Sequence, residues 1–368
     1  MRKVVFHLNC LEQGGAERVV TTLANRFVND GYEVFIATEY FAENEFIIDE
    51  RIKRVHVGLT QKQEKANRIR KFLFRIKNLR DFLKREKPDI IIAFALKANY
   101  RAVMATAFTK IPAIISVRTN PYNHYTTFKD KLLTTLLFSR AEGNVFQTEG
   151  ARNFFSKGIQ KRSRIILNPI NEKYIGTPKP AARRKAVVQS GRLVGFKNQL
   201  MLIDAFVSVH EKHSDYILEI YGGDSKDGTK ELLEQSIAEH AAGSYISLMG
   251  ASDELEKQLV DAAVFAFSSD WEGLPNALME AMALGLPIVA TDCPCGGPRT
   301  LITDEENGLL VPVGDAGAMA AGINRLIEDI ELAERLGDQA RNIEKRANVE
   351  FICSQWKEYI ETLCGEKR

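Results

Sequence analysis

Glu272 and Glu280 stand eight residues apart in "SSDWEGLPNALMEAMALGLPIVA". Between them a Gly-Leu-Pro turn leads into an apolar helical run. Pro275 suits a first helical turn, where its missing N–H is no loss. From Ala277 to Leu284 the run is apolar on nearly every side, so the helix is expected to be buried. Glu280 lies inside it, and a buried carboxylate is costly unless it has donors to bind. Eight helical residues span up to roughly 12 Å. Paired glycosidase acids sit only about 5–9.5 Å apart across one bond. The two carboxylates are therefore expected to grip different parts of one long ligand. The bland alternative is a buried ion pair for Glu280 and a surface acid for Glu272.

The spacing resembles the E-x7-E signature of retaining GT-B glycosyltransferases of family GT4, and the resemblance covers nearly the whole chain. It implies that Glu272 faces the donor sugar and that Glu280 binds the nucleotide ribose. A second motif, "VVQSGRLVGFKNQL", carries Gly191, Arg192 and Lys197 after an apolar strand. In the family pattern such an Arg and Lys clamp the donor diphosphate. Fixed cations in a dry site stabilise the charge that a nucleoside diphosphate gains as it leaves. Arg supplies a planar fork and Lys a point charge. Read blandly, they are two surface cations.

The turn Gly273, Leu274, Pro275 and Asn276 would offer backbone N–H groups to phosphate and sugar hydroxyls. By resemblance, Gly14 and Gly15, at the first strand-to-helix turn, line the site near donor phosphate and acceptor. Met249 and Gly250 sit where the family holds the base, and Tyr221-Gly222-Gly223-Asp224 resembles its glycine turn below the nucleotide. Many GT4 members carry a His where this chain has Arg118, ahead of Thr119, Asn120 and Pro121. The chain thus resembles a subgroup with an Arg-Asn type motif, found among exopolysaccharide and lipid-linked oligosaccharide transferases. Arg118 would bind a phosphate or orient sugar hydroxyls; its bland role is pairing with an acidic neighbour. No residue is an obvious covalent nucleophile. The resemblance implies reaction on one face of the sugar, with the leaving phosphate taking the acceptor proton. It also implies no cofactor and no metal.

Positioning these groups takes two domains, which 368 residues at 45% hydrophobic can supply. Both halves alternate apolar strands with helical patterns, predicting an α/β protein of two Rossmann-like, doubly wound parallel sheets, the GT-B class facing a cleft. Strands are expected near Val4–Leu8, Val34–Thr38, Ile90–Phe94, Ala113–Val117 and Val145–Gln147, then Ala186–Gln189, Ile217–Tyr221, Ile246–Met249, Val264–Phe267 and Ile288–Ala290. The domains are set at 1–172 for the acceptor and 173–345 for the nucleotide sugar. A last helix within 346–368, with Phe351, Trp356 and Ile360 apolar, crosses back to the first domain by analogy. Neither half opens its first helix with the dinucleotide fingerprint.

The net charge of +2 hides a split, +14 over residues 1–178 and −12 over the rest. Residues 51–87 alone hold 14 Lys and Arg against 3 acids. There Ile69, Phe72, Leu73, Ile76, Leu79, Phe82 and Leu83 recur at helical spacing. The stripe is expected to pack on the sheet and leave a wet basic face over 66–87, suited to an anionic membrane surface. No base-reading module accompanies it, so nucleic acid is not an expected partner. The expected partners are a nucleotide-sugar donor and a lipid-linked or glycan acceptor. The opening "MRKVVFHLNC" reads as a strand with no secretory signal. Five cysteines fit a reducing compartment. The expected location is cytoplasmic, on the inner face of the membrane. A nucleotide-sugar epimerase or hydrolase, and a non-catalytic glycan- or nucleotide-binding protein, are the alternatives.

Overall fold

The computed structural model describes residues 2–12 and 14–365. The chain forms two compact units, Met1–Pro169 with Val349–Arg368, and Ile170–Asn348. These boundaries lie within three residues of the 172 and 345 expected from the sequence.

In the first unit, β1 (Lys3–Leu8), β2 (Glu33–Thr38), β3 (Lys53–His56), β4 (Ile90–Phe94), β5 (Ala113–Ser116), β6 (Gly143–Phe146) and β7 (Ser163–Ile165) make one sheet in the order β3-β2-β1-β4-β5-β6-β7. Every pairing is parallel. Near-continuous apolar runs such as Ile90–Phe94 are buried on both faces, as a helix-covered parallel sheet requires. The strand order reverses between β1 and β4, and ligands of such sheets bind beyond the strand ends at that point.

Its connections are α1 (Gly15–Asn29), α2 (Arg68–Glu86), α3 (Leu96–Thr106), α4 (Pro121–His124), α5 (Phe128–Phe138), α6 (Glu149–Asn153) and α7 (Lys157–Lys161). The α2 stripe corrects an expectation. Only Leu79, Phe82 and Leu83 are buried, while Ile69, Phe72 and Leu73 are exposed. The first half of α2 extends beyond the apolar surface that the second half covers. Nor is its basic face wholly wet. Arg80 donates to the carbonyls of Met104 and Ala105, and Arg75 pairs with Glu39.

The second unit holds β8 (Arg184–Ser190), β9 (Ile217–Tyr221), β10 (Ile246–Gly250), β11 (Ala262–Phe267), β12 (Ile288–Thr291) and β13 (Leu309–Val311), ordered β10-β9-β8-β11-β12-β13. Its helices are α8 (Gln199–Lys212), α9 (Thr229–Glu239), α10 (Leu255–Leu259), α11 (Asn276–Ala283), α12 (Gly297–Leu301), α13 (Ala316–Glu328), α14 (Ile330–Ala340) and α15 (Ile343–Ala347). One core joins Val187, Phe206, Ile220, Val264, Ala266 and Val289 to the helices α8 and α13. The final helix, α16 (Val349–Gly365), belongs to the first unit and packs on α1. Trp356 and Ile360 are fully buried there, but Phe351 is exposed, against its expected apolar role.

Candidate active site

In the second unit the ends of β8, β9 and β10 are joined backbone to backbone. Gly191 N–H donates to Tyr221 O at 2.9 Å, Leu193 N–H to Gly223 O at 2.9 Å, and Gly222 N–H to Gly250 O at 2.8 Å. Gly222 has φ +157, and a Cβ on it would lie 1.9 Å from Gly191 O. Only glycine permits that approach. Gly250 has φ +75 beside Met249, which is about half exposed. Gly191, Met249 and Gly250 therefore share one set of carboxyl strand ends.

Lys197 closes a short turn after β8. Asn198 follows in the left-handed region at φ 48, its side chain capping α8 at Met201 N and donating to Asp270 at 2.7 Å. Asp270 N–H in turn bonds Phe196 O at 2.8 Å. These bonds fasten the Lys197 turn to the segment carrying Glu272. Lys197 Nζ lies 2.5 Å from Glu272 Oε1, and the two side chains are only 13% and 14% exposed. The Phe267 and Phe196 rings lie 5.5 and 5.9 Å from the ammonium, and Phe196 stacks on Trp271 at 4.2 Å. Ser269 Oγ donates to Glu272 at 3.3 Å.

The turn Gly273, Leu274 and Pro275 is buried and caps α11, with Asn276 as its first residue. Glu280 is 6% exposed on that helix, whose apolar residues are buried almost all round, as the sequence predicts. A glycine pair that sequence reasoning missed holds the turn from behind. A Cβ on Gly297 would lie 2.3 Å from Gly273 O. The signal was present, since Gly296 and Gly297 follow an apolar strand and open a helix, as Gly14 and Gly15 do. Cys293 is buried nearby, and burial, then the Glu272 carboxylate, pushes its thiol up to about 12. It stays protonated at neutral pH. Arg192 differs from Lys197. Its carbonyl accepts from Gln199 at 3.1 Å, but its side chain is exposed and has no protein partner among the described residues.

In the first unit, Gly14 caps α1 and Gly15 is its first residue, beyond the end of β1. Arg118, beyond β5, has no acidic partner among the described residues, contrary to its bland reading. One nitrogen donates to Asn168 Oδ1 at 2.7 Å, and Gln147 donates to the same oxygen at 2.7 Å. The guanidinium lies 4.8 Å from the Phe94 ring and 5.6 Å from Trp356. Burial pulls its pKa down to about 9, which leaves it cationic at neutral pH. A second polar cluster, unread in the sequence, lies at the neighbouring strand ends. Glu39 binds Arg101 at 3.0 Å and Arg75 at 2.7 Å, and Arg101 reaches Asn9 at 2.6 Å. His7, fully buried beside Arg101, is held neutral with its pKa lowered to about 3, chiefly by burial.

Two parallel-sheet units, one with glycine-joined strand ends and a Lys–Glu pair beside a buried helix start, have the architecture of a GT-B transferase. The family model described as "Glycosyl transferases group 1" matches residues 171–343, and that described as "Glycosyltransferase Family 4" matches residues 13–174. The chain belongs to the GT4-type glycosyltransferases. It is 28% identical over 363 residues to the N-acetylgalactosamine-N,N'-diacetylbacillosaminyl-diphospho-undecaprenol 4-alpha-N-acetylgalactosaminyltransferase of Campylobacter jejuni, covering 93% of this chain and 94% of that one. It is 26% identical over 353 residues to the lipopolysaccharide core biosynthesis glycosyltransferase LpsE of Rhizobium meliloti, covering 91% and 92%. Among solved structures, Anabaena HepE in complex with UDP matches with a TM-score of 0.83 at 18% identity, over 98% of this chain and all of that one.

Proposed function

We propose that this protein is a retaining transferase that moves a hexosyl or N-acetylhexosaminyl group from a UDP-sugar to a lipid-linked or polysaccharide acceptor in cell-surface glycan synthesis. The observation that carries this is the Lys197–Glu272 pair, largely buried beneath Gly191 and tied to the turn that starts the Glu280 helix. In this reading Lys197 and the free Arg192 take the diphosphate, and Glu272 turns to the sugar. Glu280 binds the ribose. The strip at Met249 and Gly250 faces the base, and the α11 start offers N–H groups to phosphate. Catalysis is then positioning and neutralisation of developing charge, with the leaving phosphate accepting the acceptor's proton. No metal is required, so EDTA leaves turnover intact.

The relatives support the donor and acceptor classes. HepE was solved with UDP and with UDP-glucose, and the Campylobacter enzyme is named for a diphospho-undecaprenol acceptor. No helix among the described residues is long and apolar enough to cross a membrane. In this reading a lipid-linked acceptor is met at the inner membrane surface. The basic helix α2 suits that surface.

The test is transfer from UDP-sugars to a diphosphate-linked acceptor, resolved by mass spectrometry and anomeric NMR. Arg192→Ala, Lys197→Ala and Glu280→Gln should each lower turnover about 100-fold or more with the fold intact. Full activity in all three ends the reading. Rapid hydrolysis or epimerisation of the donor without acceptor would replace it.

A further inference from the structure

Two helices of the first unit, α5 and α2, each turn several apolar side chains into solvent. On α5, Phe128, Leu132, Leu133 and Leu136 are 79%, 57%, 40% and 49% exposed. Their spacing places them on one helical face, while Thr134, Leu137 and Phe138 on the other face are buried. The first half of α2 repeats the pattern with Ile69 and Leu73, 73% and 57% exposed.

The two patches share a location. α2 follows β3 and α5 follows β5, and both connections move the same way along one parallel sheet. Right-handed crossovers put both helices on the same face of that sheet. Each contacts α3, which lies between them. Both helices start from the carboxyl ends of strands, so their first halves lie at the same end of the unit.

Cations surround the apolar residues. Lys62, Lys65, Arg68, Arg70, Lys97, Lys129 and Lys131 are exposed and have no acidic partner among the described residues. Arg68 and Arg70 occupy the first turn of α2, which holds no acid. Cations are disfavoured at that end of a helix, so their presence there points to an external anion. A partner that is anionic at its surface and apolar beneath it satisfies both features. An acidic protein surface would answer the charge but leave the two rows of Leu, Ile and Phe uncovered.

We propose that α5 and the first half of α2 form one bilayer-docking face. Phe128, Leu132, Leu136, Ile69 and Leu73 enter the boundary between headgroups and acyl chains of an anionic membrane, and the surrounding cations neutralise its headgroups. The face deepens the proposed function by naming what brings the enzyme to a lipid-linked acceptor, and rests on that reading only for its purpose.

Flotation of the intact protein with phosphatidylcholine vesicles, containing or lacking phosphatidylglycerol, tests the face. The parent protein should float with the anionic vesicles. Arg68→Glu with Arg70→Glu should lower the partition roughly 25-fold, at about fivefold per cation lost. Leu132→Ser with Leu136→Ser should lower it about tenfold or more on the same vesicles. Both pairs are already exposed, so melting temperature and UDP binding should not move. Flotation unaffected by the leucine pair overturns the proposal. So does a parent that ignores vesicles and instead self-associates through α5. A protein that floats but transfers no sugar fails the transferase reading alone. One that glycosylates a water-soluble acceptor fragment and never floats fails the docking face alone.

Discussion

Lys197 and Glu272 neutralise each other at 2.5 Å, yet the proposed chemistry assigns them to different parts of the donor. An arriving diphosphate must therefore compete with the Glu272 carboxylate for the same ammonium. Removing the competitor and removing the cation should have opposite consequences for nucleotide binding. Glu272→Gln should bind UDP at least as tightly as the parent by calorimetry, while turnover falls about 100-fold or more. Lys197→Ala should weaken UDP binding about tenfold or more, the loss of one charge-assisted hydrogen bond. If Glu272→Gln binds UDP more weakly than Lys197→Ala does, the pair is a structural bridge and no exchange occurs. The sequence made both residues visible because a Lys after a glycine turn and a Glu before Gly-Leu-Pro are local patterns. It did not make their mutual bond visible, because 75 residues separate them and the bond depends on Asn198 reaching Asp270. Arg118 was legible as a candidate for the same local reason. Its cover by Phe94 and Trp356 was not, since those rings come from β4 and the last helix.

Strands with continuous apolar runs, such as Ile90–Phe94 and the Ile288–Ala290 run of β12, were legible to within a residue or so because burial on both faces leaves an unbroken signal. β3 (KRVH), β7 (SRI) and β13 (LLV) were not. They are three or four residues long, lie at the sheet edges and carry too little apolar pattern to rise above a loop. The glycine loops show the same divide. Gly297 drew no reading from the sequence, although its place before a helix was visible, and its role is to let the Gly273 turn sit against α12. Gly297→Ala puts a methyl group 2.3 Å from Gly273 O and 2.9 Å from Pro275 Cδ, so the turn must shift. No proposed catalytic side chain is altered. The expected result is a KM for the donor raised about tenfold or more, since misplacement near 1 Å is severe in a preorganised site. An unchanged KM would show that the Gly-Leu-Pro turn does not bear on donor binding. The control is Gly243→Ala, where an added Cβ meets nothing within 4 Å.

The chain builds its first unit from both ends, since the final helix returns to the sheet that Lys3–Leu8 began. Composition alone indicated two domains, and the charge split marked them as different surfaces. Where the last helix belongs required the analogy, because its apolar residues carry no address. Its anchor is Trp356, fully buried 5.7 Å from Phe94, with Tyr359 donating to the carbonyl of Arg162 at 2.8 Å. Deleting so large a buried side chain removes its transfer energy and leaves a cavity, together about 3–5 kcal/mol. That loss falls on the first unit, because every one of these partners lies within it. Trp356→Ala should therefore raise hydrogen exchange across β1, β4 and β5 while β8, β9 and β11 keep their protection. UDP binding, assigned to the second unit, should stay within about twofold of the parent, as expected for sites without shared partners. Acceptor-dependent turnover should fall, since the ring beside Arg118 is gone. Exchange that rises equally in both sheets would mean that the two units unfold as one. UDP affinity lost along with the tryptophan would place nucleotide recognition partly in the first unit.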